Sequence, residues 1–197
     1  LQSAQRADVD PAQALQEMSG TVERATQLAN QMLALAKVEQ LRRQGEAPVV
    51  DWADIVRAVA LDLAPLIAEA QLDFDIHTQP APVRAHEWAL RELTRNLLHN
   101  AVKHSAVGGR LGVQLARQAQ QATLRISDSG PGISAELRRR LFQPFASGDP
   151  RSGSGLGLAI CHEIVDTLAG EIRLDNRAQG GLDAVIGLPL ADNAAHE

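Results

Sequence analysis

The 197 residues are 45% hydrophobic and 22% charged, with a formal net charge of −5, a balance that suits one globular domain plus an added element. No basic run is longer than Arg138-Arg139-Arg140 and aromatics make up 3% with no tyrosine, which argues against a nucleic-acid surface. Cys161 is the sole cysteine, so no intrachain disulfide forms, in keeping with a reducing compartment. No stretch approaches the ~18 apolar residues of a membrane span, and no signal peptide opens the chain. Because it begins at Leu1 and not at Met, an excised fragment is expected.

Residues 1–7 form a helix-compatible stub, and Asp8-Val9-Asp10-Pro11 gives a turn and restart. From there to about Gln44, Leu15, Met18, Val22, Ala25, Ala29, Met32 and Ala36 alternate spacings of three and four, widened by Leu28 and Leu35. That is a heptad seam, which needs a partner because one helix cannot bury it. A surface helix packed on its own domain is the plainer reading, and a helical hairpin that dimerises is the sharper one. Gly45-Glu46-Ala47-Pro48 reads as the linker between residues 1–45 and a globular unit over 46–197.

Val49 to Asp51 suggests a short strand and residues 52–70 a helix, with Pro65 a potential kink. Leu72 to His77 alternates apolar and polar as a half-buried strand does, and Val83-Arg84 suggests another strand. A helix over 92–104 is expected to end at Gly108-Gly109. Strands follow near 110–117 and 121–127 around a Gln118-Ala119-Gln120 turn. Then come a short helix over 134–141, a loop over 146–154, a helix over 155–168, and strands near 170–176 and 182–189. The globular part is mixed α/β.

Three stretches can carry chemistry. In the helix over 92–104, Glu92, Asn96, Asn100, Lys103 and His104 share one face, while Leu90, Leu93, Leu97 and Ala101 line the adjoining apolar face. An Asn oxygen is a hard neutral ligand suited to Mg²⁺, which takes its remaining ligands from water and substrate phosphate. An amphipathic helix with a solvated polar face has the same spacing. Next, Asp128-Ser129-Gly130-Pro131-Gly132-Ile133 follows a strand, and its glycines let a flat ligand approach the backbone. Asp128 at the strand end can accept from the exocyclic amine of adenine, where guanine offers an oxygen. Leaving that acceptor unpaired costs upward of roughly 1–3 kcal/mol, enough to discriminate between purines. A plain Asp-Ser-Gly turn remains the alternative. Finally, Gly153-Ser154-Gly155-Leu156-Gly157 runs from a polar loop into an apolar helix, an arrangement that binds phosphate. A dinucleotide fingerprint would need a strand directly before the glycines, though Asp175 stands near its ribose-binding distance, and a P-loop would need Gly-Lys-Ser/Thr, which is absent.

In this order the three stretches resemble the catalytic part of bacterial sensor histidine kinases of two-component systems. Residues 92–105 look like the family's N-box and 128–133 like its first glycine box. Leu141-Phe142-Gln143-Pro144-Phe145 resembles the F-box, 153–158 the second glycine box, and 31–39 the end of the second helix of the dimerisation hairpin. The resemblance implies a Bergerat-type fold, a two-layer sandwich of mixed β-sheet and helices, preceded by a long helix from a truncated hairpin. It implies ATP and Mg²⁺ as cofactors, with Asn100 on the metal, Asn96, Lys103 and His104 near the phosphates, and Asp128, Gly130, Gly132 and Ile133 around adenine. Gly153, Gly155, Leu156 and Gly157 would hold phosphate, 146–154 would be a lid, and Arg151 could reach the γ-phosphate. A homodimer through the hairpin, a response regulator receiver domain as partner and cytoplasmic placement, with membrane contact through upstream segments alone, are implied in the same way.

Gyrase-like, chaperone and mismatch-repair ATPases share that fold but carry a water-activating glutamate one turn before the magnesium asparagine. Asn96 stands there and cannot act as a general base, while Glu92, a further turn back, could assist a histidine acceptor. None of the six histidines sits in a His-Glu/Asp-x-x-x-Pro acceptor box, so the fragment is expected not to phosphorylate itself. His162 is expected to be structural, and His77, His86, His99 and His196 solvated. A nucleotide-binding module without chemistry is the remaining alternative.

Overall fold

The computed structural model describes residues 47–144 and 155–191, together with a few helical residues between 18 and 38. Strand β1 (Val49–Asp51) leads straight into helix α1 (Trp52–Glu69). Asp51 caps that helix by accepting from the Ala53 amide at 3.0 Å, and the same oxygen accepts from Ala81 at 2.8 Å. One carboxylate thereby satisfies a free helix-terminal donor and ties down the next loop. Trp52, Ile55, Val56, Val59, Leu63 and Ile67 recur at helical spacing and are buried. The helix continues through Pro65 to Glu69.

Next come β2 (Asp73–Thr78), β3 (Pro82–Arg84) and α2 (Glu87–His104). Helix α2 starts a full turn earlier than the polar stripe alone suggests, because Ala89 and Leu90 already face the core. It ends at His104, capped by the Ser105 amide on the Ala101 carbonyl, and not at Gly108-Gly109. Gly108, at φ +74°, instead turns the chain toward the sheet. Strands β4 (Arg110–Gln118) and β5 (Gln121–Ser127) form a hairpin whose turn residue Ala119 takes φ +52°. The short α3 (Ala135–Arg138), α4 (Gly157–Thr167), β6 (Glu171–Asn176) and β7 (Leu182–Pro189) complete the elements.

The main sheet has the order β2-β4-β5-β7-β6, with β2 parallel to β4 and the other pairs antiparallel. Along β4 and β5, Leu111, Val113, Leu115, Ala122, Leu124 and Ile126 are buried and alternate with exposed or half-buried residues. One face of the sheet thus lies under helices, where each fully buried Leu or Ile contributes about 1.5–3 kcal/mol. Helix α2 is the middle of the helical layer, packed on α1 along one side and α4 along the other. A buried bond from Trp52 Nε1 to Thr94 Oγ1, 3.1 Å, pins α1 to α2. The two-layer mixed sandwich expected from the sequence is the fold observed.

Of the heptad positions, Met18, Val22, Ala29, Met32 and Ala36 are described and exposed. Ala34 and Val38, off the seam, are buried in the core of the globular unit, and the Lys37 ammonium lies 5.9 Å from the Trp88 ring centroid. Among the described residues, Ala34 and Val38 thus face the core while these five seam positions face outward. Leu15, Ala25, Leu28 and Leu35 lie outside the described residues.

Candidate nucleotide-binding site

The candidate residues gather along the C-terminal half of α2, against which the loop after β5 packs at His104 and the start of α4 packs at Asn96 and Asn100. On α2, the Asn96 side-chain amide donates to the Glu92 carbonyl at 3.0 Å and to Glu92 Oε1 at 2.9 Å. Both bonds use Nδ2, so the Asn96 Oδ1 is turned the other way, toward α4. There Gly157 stands so close that a Cβ on it would lie 3.2 Å from Asn96 Oδ1 and 4.0 Å from Asn100 Nδ2. The missing side chain lets the first turn of α4, with its positive dipole end, approach both asparagines. Leu156, buried just before it, accepts the Ile160 amide and anchors that turn. Gly155 takes φ +68°, a conformation that glycine adopts without strain.

At the opposite end, Asp128 follows β5 and is 5% exposed. Its Oδ1 accepts from the Gly130 amide at 2.8 Å and from the Leu182 amide at 3.1 Å. Such bonds to an ionised carboxylate are the stronger kind and fix its direction. Gly130 packs so tightly on the end of α2 that a Cβ would fall 2.4 Å from the His104 carbonyl oxygen. Gly132 takes φ +74°, and Ile133 after it is half-buried against the core. Ser129 accepts from the Arg110 amide at 3.0 Å through its hydroxyl. The loop thus joins the end of α2 to the edge of β4.

Lys103 and His104 are exposed in the last turn of α2, and His99 is half-buried, not solvated as its spacing suggests. Burial, then the charges of Lys103, Arg95 and His104, hold the His99 imidazole below its ordinary pKa. Burial and then Lys103 do the same to His104, against an opposing pull from Asp128. Near neutrality both rings are uncharged, which leaves Lys103 as the cation of the stripe. Cys161 is fully buried, and burial followed by the nearby Glu92 charge pushes its thiol far up, so it is a packing residue.

Of the expected residues, Glu92, Asn96 and Asn100 are brought together with Gly157, and Asp128 and Gly130 with the end of α2 at His104; Lys103 is exposed on the same helix, Gly132 and Ile133 continue the Asp128 loop, and Gly155 and Leu156 lead into α4. Arg151, Gly153, Phe145 and the expected lid over 146–154 lie outside the described residues. The Phe142 ring lies 4.9 Å from His162, which is exposed on α4. His77 is exposed, with Asp75 at 3.1 Å. Sequence reasoning missed Asn176, Arg177 and Leu182, whose bonds to the Asp128–Ile133 loop cross about fifty positions. The Asn-Arg-x-x-Gly-Gly turn was their faint signal.

Residues 85–192 match the family described as histidine kinase-, DNA gyrase B-, and HSP90-like ATPase. The chain belongs to that family. Among sensor kinases, it is 30% identical over 182 residues to the sensor protein kinase PmrB of Pseudomonas aeruginosa, covering 90% of this chain but 38% of that protein. The solved structure of a mycobacterial sensor histidine kinase, MprB, superposes with a TM-score of 0.66 at 32% identity, over 73% of this chain and 97% of that one. The histidine kinase ThkA in complex with the response regulator protein TrrA shares the fold, at a TM-score of 0.71 and 20% identity over 96% of this chain and 55% of that one. The ATP-binding catalytic region of a sensor histidine kinase is what the chain carries. It spans well under half the length of the curated relatives it matches.

Proposed function

We propose that the site binds ATP with its base against Asp128 and its phosphates between α2 and the start of α4. In the intact protein it would transfer the γ-phosphoryl group to a histidine. The observation that carries this is the buried Asp128, aimed by two main-chain amides that both bond Oδ1. Its other oxygen would accept from the exocyclic amine of adenine, which donates where guanine does not. Gly130 and Gly132 let the ring approach the main chain.

The residues fit a phosphate-bound Mg²⁺ by their chemistry: Asn100 carries a neutral amide oxygen, and its side chain stands beside the bare Gly157 backbone together with Asn96 Oδ1. Bound there by Asn100, the ion would neutralise charge on the phosphates. Lys103 and the α4 amides would orient the phosphoryl group, so positioning and charge complementarity supply most of the catalysis. In the transfer, the bond from the γ-phosphorus to its bridging oxygen breaks, a phosphorus–nitrogen bond forms, and ADP leaves. Glu92 holds Asn96 in place and would assist the acceptor. A kinase is favoured over a hydrolytic ATPase because Asn96 occupies the place of a water-activating glutamate.

Residues 1–45 would form the second part of a dimerisation hairpin and 46–197 the catalytic domain, a reading supported by the exposed Met18, Val22 and Met32. The phosphoryl group would pass to a response regulator, as the ThkA–TrrA pairing suggests. No helix among the described residues is long and apolar enough to cross a membrane, so membrane attachment would come through other segments. Calorimetric titration with ATP and Mg²⁺ tests the site. Asp128→Asn and Asn100→Ala should each weaken binding, and unchanged affinity in both would refute the assignment. Transfer of labelled phosphate to a supplied histidine hairpin separates kinase from ATPase, which would release inorganic phosphate instead.

A further inference from the structure

The base-reading loop does not hold its own shape. Asn176, the last residue of β6, grips Ile133 by both main-chain groups. The Ile133 amide donates to Asn176 Oδ1 at 2.9 Å, and Asn176 Nδ2 donates to the Ile133 carbonyl at 2.8 Å. One side chain thus replaces the pairing a neighbouring strand would give. Gly132 makes room for it, since a Cβ there would sit 2.7 Å from Asn176 Oδ1. At the loop's other end, Arg177 Nη1 donates to the Asp128 carbonyl at 3.2 Å. Arg177 is held in turn by Asp183, 3.7 Å from its Nε, and Asp183 also bonds Arg125 at 2.8 Å.

The turn that closes β6 onto β7 completes the grip. Its Gly181, at φ +97°, lies so close that a Cβ would meet the Asp128 carbonyl oxygen at 2.1 Å. Leu182 then exchanges bonds with Asp128: the Asp128 amide donates to the Leu182 carbonyl at 2.9 Å, and the Leu182 amide donates to Oδ1. Both ends of the six-residue loop are therefore fixed by a hairpin about fifty positions away, which itself contributes no group to the phosphate end.

From this we infer that the β6–β7 hairpin, through Asn176 and Arg177, is the positioning element that sets how tightly the loop 128–133 binds an adenine nucleotide. The inference rests on the nucleotide reading above. Removing Asn176 leaves the Ile133 amide and carbonyl unpaired and Gly132 free to relax, so the far end of the loop, against which the base would lie, loses its fixed shape while the two amides on Asp128 remain. Two net hydrogen bonds are worth up to about thirtyfold if lost from the complex alone; part of the loss also falls on the ligand-free, half-exposed loop, which leaves roughly tenfold in affinity.

ADP titration of Asn176→Ala, Arg177→Ala, Asp128→Asn and Trp52→Phe tests this, alongside thermal melts and amide exchange of the ligand-free chains. Asn176→Ala is expected to lose roughly tenfold in ADP affinity and Arg177→Ala a few-fold, with faster exchange at Ile133. Trp52→Phe, which breaks a core bond far from the loop, should melt lower yet bind ADP as the parent does. If Asn176→Ala fails to fold, Arg177→Ala carries the test alone. Parental ADP affinity in the hairpin variants, with Asp128→Asn impaired, would overturn this inference and leave the nucleotide reading intact. A parent that binds no ADP, or an Asp128→Asn variant that binds normally, would overturn both.

Discussion

The two ends of the site are built in opposite ways. At the base end the polar groups are already partnered within the protein: Asp128 by two amides, Ile133 by Asn176, Gly130 against the end of α2. At the phosphate end, Asn96 is braced by Glu92, Lys103 and His104 are exposed, and α4 begins at the bare Gly157 beside Asn96 and Asn100. In the proposed complex the base end would act as a mould shaped before the ligand arrives, whereas the phosphate end would supply donors and positive charge. On that proposal selectivity would belong to the first and charge neutralisation to the second, and substitutions at each should fail differently.

The sharpest break is expected at Gly132. An alanine there must hold φ +74°, at a cost of about 1–2 kcal/mol, and must also displace Asn176. Gly132→Ala should lower the melting midpoint by several degrees (about 2–4 °C per kcal/mol at this size) and weaken ADP binding together, as measured by calorimetry and thermal melts. A stable variant with parental affinity would mean that the base end is not a preformed mould. Asn96→Asp should act at the other end and on chemistry more than on shape. It sets a second carboxylate against Glu92, where the amide now donates at 2.9 Å, and like charges at this distance repel. Phosphoryl transfer to a supplied histidine hairpin should fall well below the parent while thermal melts show that the fold persists.

The smallest effect comes from the histidines. Both His99 and His104 have folded pKa values below the ordinary 6.5, so the unfolded chain binds protons more readily than the folded one. Stability is therefore fully present above about pH 6.5 and declines as pH falls through that value toward the folded pKa values. Melts between about pH 7.5 and about 5.5 should show this decline, and His99→Gln should flatten it. Bound nucleotide should oppose it, because phosphate favours the protonated rings. An identical slope in the presence of ATP would mean that these rings do not sense the phosphate end.

Much of the proposed phosphate end is legible in the sequence because it lies on one helix. Asn96, Asn100, Lys103 and His104 share a face by periodicity alone, and helical periodicity survives tertiary packing. The base end was legible in part. Asp128 and its glycines stood out as a turn after a strand, but the residues that hold that turn come from the far end of the sheet. Strand order decides which loop meets which hairpin, and β5 next to β7 is not written in local spacing. The start of α2 was missed for a related reason, since its first turn is apolar on the buried side and carries none of the polar stripe. Ala119 turns a hairpin without glycine or asparagine, so that β4–β5 turn had to be read from the flanking strands.

The claim that most needs testing is that a buried carboxylate reads the base. Titration with ATP and with ATP whose exocyclic amine carries two methyl groups, on the parent and on Asp128→Asn, addresses it directly. The methylated nucleotide has no donor left for Asp128, so the parent should bind it roughly tenfold or more weakly than ATP, while the variant distinguishes the two far less. Equal affinity of the parent for both nucleotides would contradict the account.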